Sequence, residues 1–321
     1  MNTQPAAPTL RRGRRAADRV GDGFLIGLTA LASLGAAVLL VLIAYKVFDA
    51  SGAAFDKFGL GFVVHQIWDP NRNVFGALTF IYGTAITSLI ALLIATPLSV
   101  AIALFLSELA PRGVRGVVGA LVEMLAAIPS VVLGLWGILV LGPFVKDHFE
   151  PWLHRTFGFL PIFSGDPQSA GLLPAALVLT IMIVPIIASV SRELFLAVPR
   201  ELHEGALALG ATRWETIRGV VLPYTRAGIV AATILGLGRA IGEAIAVTQV
   251  IGGAVGIHAS LFGSADTLAS RIAAQYQGAS THLLTSALVY LAAILLVISL
   301  IVNVIAQWIV RRFEFQRIGA D

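Results

Sequence analysis

The chain has 321 residues, 57% apolar and only 12% charged, with 22 basic and 18 acidic side chains and a net charge of +4. Soluble domains carry roughly 25% charged residues, so a globule of this size lacks the polar groups to cover its surface. With a mean hydropathy of +0.88, the composition argues against a soluble enzyme, a disordered chain and a nucleic-acid binder and points to a polytopic membrane protein.

In chain order, the first element is a basic tail over residues 1–22 with Arg11, Arg12, Arg14, Arg15 and Arg19. A polybasic stretch beside a membrane helix is a topology determinant and a contact for anionic membrane lipid, so nucleic acid is not expected as a partner. A bilayer core of roughly 30 Å needs about 20 apolar residues in a helix. Charge-free or nearly charge-free runs of that length predict six spans, at about 24–46, 76–107, 117–145, 171–195, 227–251 and 283–310. The first is too long for the apolar region of a cleaved signal and reads as a retained helix. The fold class is therefore all-α, with a transmembrane domain over 23–312 and a short tail over 313–321. The second span is expected to kink or break near Pro97. Glu123, early in the third, has Arg112 and Arg115 as candidate partners.

The link between the third and fourth spans, 146–170, carries Phe149, Trp152, Phe157, Phe159 and Phe163 among three prolines. It reads as an interfacial aromatic belt, with a lid or a dock for an external protein as the sharper alternative. Most of the 22 basic residues fall in the tails and in the 2–3 and 4–5 links. Both termini are thus expected on the cytoplasmic face of the cell membrane.

The 4–5 link has helical grammar of its own over 199–223. Pro199 suits a first helical turn, with Glu201 and Glu204 near its positive end. Leu202, Ala206 and Leu209 repeat at helical spacing, and Gly210 supplies a break. Thr212 and Glu215 form a capping-box pattern that opens a second short helix, which Leu222-Pro223 is expected to end. Two short amphipathic helices hinged at a glycine suggest a docking element, or else a pair lying on the membrane.

The fifth span places Arg239 and Glu243 four residues apart inside an otherwise apolar run. A charge at mid-membrane costs about 2.5–3.5 kcal/mol on insertion scales, so such residues need a partner, water or a purpose. Four residues of spacing would place both on one helical face. The functional reading is an anion path in which Arg239 supplies positive potential and Glu243 limits how tightly the ion is held. The plain reading is an ion pair that orients the helix. Gly236, Gly238 and Gly242 favour close helix approach. Thr84 and Ser88 share a face of the second span and either offer hydroxyls to the path or bond back to their own helix.

Glu204-Gly205-Ala206, Gly210 and Val220-x-Leu222-Pro223 resemble the "EAA" loop of binding-protein-dependent ABC importers, with Gly205 for Ala and Val220 for Ile as the departures. Trp68-Asp-Pro70, Phe75-Gly-Ala-Leu78, Tyr82-Gly-Thr84, Leu125 to Gly137 and Gly236 to Val247 are similar to the PstC-type permeases of phosphate importers. The likeness covers about residues 20–315. It implies a type I importer permease fold and coupling to an ATPase through Glu204, Gly205, Ala206, Gly210, Leu222 and Pro223. The implied partners are a second phosphate permease subunit, a dimer of ATP-binding subunits and an external phosphate-binding protein. The chain has no Walker-type loop, so ATP and magnesium are expected on the partner, with no cofactor, metal or catalytic residue in this chain. A permease for sulfate or molybdate, and an ion-coupled carrier working alone, are the alternatives.

Overall fold

A computed structural model describes residues 14–318, with side chains described from Gly21 to Arg312 except at Arg112. Arg11, Arg12 and residues 319–321 lie outside the described residues, as do the side chains of Arg14, Arg15, Arg19, Arg112 and Arg317. Among the described residues there is no strand, only the isolated bridges Asp69–Val74 and Gly252–Ala265. Six helical stretches are long and apolar enough to cross a membrane.

The described residues up to Asp49 form one unit, built by helix α1 (Arg14–Ala50). Its 37 residues give a length of about 55 Å at 1.5 Å per residue. The span expected at 24–46 is therefore the middle of a longer helix, since no proline or cap interrupts it. Its hydroxyls are satisfied internally: Thr29 donates to the Leu25 carbonyl at 2.8 Å and Ser33 to the Thr29 carbonyl at 2.8 Å.

The second unit holds everything from Ala50 onward. It opens with two short helices, α2 (Gly52–Phe58) and α3 (Gly61–Val64), and a tight turn over 69–74. Here an aromatic cluster replaces aliphatic packing. Phe62 stacks on Tyr290 with ring centroids 4.4 Å apart, and Trp68 meets Phe75 edge-on at 4.9 Å and Phe80 at 5.2 Å. The Trp68 indole N–H donates to Gln275 at 3.0 Å, which satisfies its one donor.

The second span is α4 (Leu78–Leu104), extended by a π turn over Phe105–Leu109. It runs through Pro97 without a break. Membrane helices tolerate such prolines because neighbours re-satisfy the freed backbone groups. A separate helix, α5 (Arg112–Ala126), then stops short of Pro129. The proline ring disfavours helical geometry at Ile128, so the third span begins at Ser130 rather than near 117. It continues as α6 (Ser130–Trp136), α7 (Gly142–Phe144) and α8 (Glu150–Phe157), joined by π turns at 137–141 and 145–149. Much of the link expected from 146 is thus a helical extension of the span.

The fourth span, α9 (Leu172–Leu196), is the centre of the unit. Leu179, Ile183 and Ile187 are buried there with Ala91 and Ala95 of α4. The link that follows forms α10 (Arg200–Ala208) and α11 (Arg213–Thr216). A π turn over 217–221 carries α11 into the fifth span, α12 (Leu222–Gly242), so Leu222-Pro223 starts a membrane helix and does not end the one before. Proline falls there just after the π turn, where the regular i→i−4 hydrogen-bond ladder is already interrupted. After α12 come α13 (Ile245–Val250), α14 (Leu268–Gln275) and the sixth span, α15 (His282–Ile318).

Alternation of spans puts the 2–3 and 4–5 links on one side. Two contacts agree: Glu108, at the end of the second span, lies 3.6 Å from His203 of the 4–5 link, and Glu123 of the 2–3 link lies 3.8 Å from Arg192 near the end of α9. The partner of Glu123 is accordingly Arg192 of α9, which its surroundings in the sequence do not reveal.

Candidate functional site

The Arg239 segment is built differently from a continuous helix. Helix α12 ends at Gly242, and Glu243 adopts extended geometry with ψ of 118°. The Glu243 carboxylate accepts the Ala246 N–H at 3.2 Å and so caps the start of α13. The expectation of one helical face shared by Arg239 and Glu243 is corrected here: the helix breaks between them. Among the described residues no ion pair joins the two.

Arg239 is exposed on α12 with no hydrogen bond or ion pair among the described residues. Leu235, Gly238 and Gly242 are exposed with it. Positions i, i+3, i+4 and i+7 share a helical face. A Cβ built on Gly238 or Gly242 would meet nothing within 4 Å, whereas one on Gly236 would meet Ile187 at 2.7 Å. Of the three glycines, Gly236 serves packing within the chain. The other two keep the backbone open around a guanidinium with five free donors.

Thr84 and Ser88 lie elsewhere. They line a groove of about 300 Å³ with Leu237, Ile241, Ile298 and Val302. Residues two apart on a helix point about 200° apart, so Leu237 and Ile241 face away from Arg239. The Thr84 hydroxyl donates to the Phe80 carbonyl at 2.7 Å and Ser88 to the Thr84 carbonyl at 2.6 Å. Each hydroxyl thus spends its single proton on its own helix in this structure. Thr84 also accepts the Leu268 N–H at 3.0 Å, which fastens α14 to α4. The four residues proposed for one path therefore do not meet within this chain.

The 4–5 link has the expected devices. Gly210 sits at φ of 84°, in the left-handed region that a side chain disfavours. Thr212 and Glu215 form a reciprocal capping box, with the Thr212 N–H donating to the Glu215 carboxylate at 2.7 Å. No residue of α10 is buried, and Glu204, Gly205 and Gly210 are exposed. Leu209 is 91% exposed and Trp214 60%. Ile217 and Val221, at helical spacing from Trp214, are by contrast buried. Leu209 and Trp214 are thus left uncovered among the described residues.

One charged cluster is not apparent from sequence. Asp266 and Arg271 are 3% and 8% exposed, and Arg271 Nε lies 2.7 Å from Asp266 Oδ2. Arg271 also donates to the Gly253 carbonyl at 2.9 Å, and its guanidinium lies 5.0 Å from the Phe80 ring centre. The Ser270 hydroxyl donates to Asp266. Burial pushes the Asp266 carboxyl above its ordinary range, although the adjacent guanidinium pulls it down. The local signal was Thr267 with Ser270 three residues on, a reciprocal cap of α14 with serine in the place of Glu or Gln.

The sequence was compared with known proteins. Residues 95–315 match the family described as "binding-protein-dependent transport system inner membrane component". The "phosphate transport system permease protein PstC" of Mesorhizobium japonicum is 43% identical over 99% of both chains. The protein of the same name from Pasteurella multocida is 45% identical over 86% of this chain and 88% of its own. Among solved structures, the bacterial alginate ABC transporter in complex with its alginate-bound periplasmic protein matches with a TM-score of 0.58, at 19% identity, over 91% of this chain and 97% of that one. The inward-facing methionine ABC transporter MetNI matches with a TM-score of 0.56, at 21% identity, over 77% and 99%. At that identity these structures bear on the fold alone.

Proposed function

Because this chain belongs to the family of binding-protein-dependent transport inner membrane components, and so is a membrane permease subunit and not an enzyme, we propose that it carries phosphate in an ATP-driven importer. Phosphate as the substrate is supported by relatives whose names specify it and which match nearly end to end. The observation that carries the reading is the open face of α12, where an unpaired Arg239 stands between Gly238 and Gly242.

A guanidinium presents parallel N–H groups that match two phosphate oxygens. In a largely apolar stretch of α12 it supplies a strong attraction for an anion. Glu243 at the helix break places negative charge nearby, which keeps that attraction short of a trap. Thr84 and Ser88, their protons engaged, contribute wall and not ligands. The path is closed by a second permease subunit facing α12. Coupling runs through the 4–5 link: Glu204, Gly205, Ala206 and Gly210 on the exposed helix pair, and Leu222 and Pro223 where α11 leads into α12. Because α11 is continuous with α12 through the 217–221 turn, closure of two ATP-binding subunits on the link displaces the span that bears Arg239. ATP and magnesium reside on those subunits. A phosphate-binding protein delivers the ion from outside, and both termini of this chain lie in the cytoplasm at the inner membrane.

Reconstitution of the complex with its binding protein in liposomes tests this. Phosphate uptake is expected only with ATP, unaffected by excess sulfate, and lost in Arg239→Gln with subunit composition unchanged. Uptake driven by an ion gradient without the ATPase would establish a secondary carrier. Normal uptake by the variant would leave Arg239 a structural residue.

A further inference from the structure

Helix α10 is loosely held. None of its residues is buried. Between it and the second span lies a cavity of about 230 Å³, walled by Glu108 and Leu109 of the π turn that ends the span, His203 and Leu207 of α10, and Arg213 and Ile217 beyond the Gly210 hinge. There His203 Nε2 stands 3.6 Å from Glu108 Oε2, with 24% and 21% of the two side chains exposed. Among the described residues no other ion pair ties α10 to the spans.

The state of the imidazole decides whether this contact attracts. The Pro199 carbonyl lies 3.4 Å from His203 Nδ1 and can only accept, so it keeps the ring's first proton on Nδ1. In the neutral ring Nε2 therefore turns a lone pair on the Glu108 carboxylate, and the two repel. A second proton makes Nε2 a charged donor. Imidazole changes charge between about pH 5 and 8, whereas guanidinium and carboxylate groups keep theirs over the upper part of that range. The neighbouring charges are of those two kinds. Arg213 shares the cavity, and Arg115 of α5 donates to the Ser107 carbonyl at 2.7 Å beside Glu108. Glu215 is engaged in the cap of α11, and Arg218 is exposed outside the cavity lining. Arg200, Glu201 and Glu204 of α10 itself are exposed. Loss of the His203 proton leaves Arg213, on the far side of the hinge, as the cation that shares the cavity with Glu108.

We propose that His203 and Glu108 form a proton-controlled latch in the 4–5 link: the protonated imidazole fastens α10 to the second span, and its deprotonation frees α10 to swing about Gly210. This rests on the importer reading, in which ATP-binding subunits close on the link, and adds a dependence on cytoplasmic pH. With the latch closed, their movement reaches α4 through α10 as well as α12 through α11. With it open, only the second route remains.

The test uses the complete complex with cysteine-free partner subunits. This chain has no cysteine of its own, so spin labels at Leu209→Cys and Phe105→Cys, both exposed, report the distance from α10 to the second span. Pulsed electron resonance in nanodiscs is expected to show the short-distance population rising about threefold between about pH 8 and pH 6, the scale of a partly exposed ion pair. Glu108→Gln should abolish the change, and His203→Arg should hold the short distance at both pH values. A distribution insensitive to pH in the wild type, or shifting equally in Glu108→Gln, would overturn the proposal. In liposomes the binding-protein side is kept at one pH, so that the charge of external phosphate is constant, and the ATP side is varied. Phosphate moved per ATP hydrolysed is expected to fall as that side becomes more alkaline, to stay high in His203→Arg and to stay low in Glu108→Gln. ATP-driven uptake with one pH profile in all three removes the latch alone, whereas a complex without ATP-dependent uptake removes the importer reading and the latch with it.

Discussion

At the scale of single residues, charge placement separates two roles for arginine. Arg239 is exposed and unpaired among the described residues, whereas Arg271 is buried against Asp266, Gly253 and Phe80. The first arrangement leaves donors for a passing ion; the second stitches 253–271 to α4. Gly83 belongs to the same joint, since a Cβ there would fall on the Asp266 carbonyl. Arg271→Met is expected to destabilise the solubilised protein by about 3–5 kcal/mol, because it strands a buried carboxylate. Thermal unfolding in detergent reads this out, and the double variant with Asp266→Asn should recover part of the loss. A shift no larger than that of Arg72→Met, whose partner Asp69 sits in an exposed pair at 3.6 Å, would show that the pair is dispensable. Both arginines are visible as letters, yet their difference is not. A spacing of four suggested that Arg239 and Glu243 pair, and only the break after Gly242 shows that they do not.

At the scale of elements, the hinged helices α10 and α11 were the most legible part of the chain. Their signals are local: a glycine that relieves left-handed geometry and a Thr-x-x-Glu cap close hydrogen bonds within four residues. Gly210→Val forces a branched side chain into that geometry, at about 1–2 kcal/mol, and Thr212→Ala removes a cap worth about 1 kcal/mol. Both variants are expected to insert normally and to lose ATPase stimulation by the loaded binding protein severalfold; Glu204→Lys should do the same by altering the docking face. Unchanged stimulation in all three would remove the link from the coupling route. The third span was less legible. Its apolar run begins at Met124, but Pro129 ends α5 and starts a new helix at Ser130. Hydropathy registers the run and is blind to the joint within it.

At the scale of the whole molecule, the even number of spans and the bias of arginine predict one orientation. The chain has no cysteine, so a single introduced thiol reports without ambiguity. Leu209→Cys in the 4–5 link and Phe159→Cys in the 3–4 link are both highly exposed positions. A membrane-impermeant maleimide applied to intact cells is expected to label the second and spare the first, with the pattern reversed in inverted vesicles. Labelling of both from one side would invalidate the orientation and the placement of the docking helices with it.

The amino-acid sequence by itself determined the solvent, the number of spans and the hinged link, because apolar run length, cap patterns and glycine positions act over a few residues. Only the tertiary structure decided which polar groups meet. Thr84 and Ser88 turned inward to their own carbonyls, Glu123 paired with Arg192, and Asp266 with Arg271. The physical reason is that helical spacing sets which residues share a face, while breaks in the hydrogen-bond ladder and the packing around α9 set where that face points.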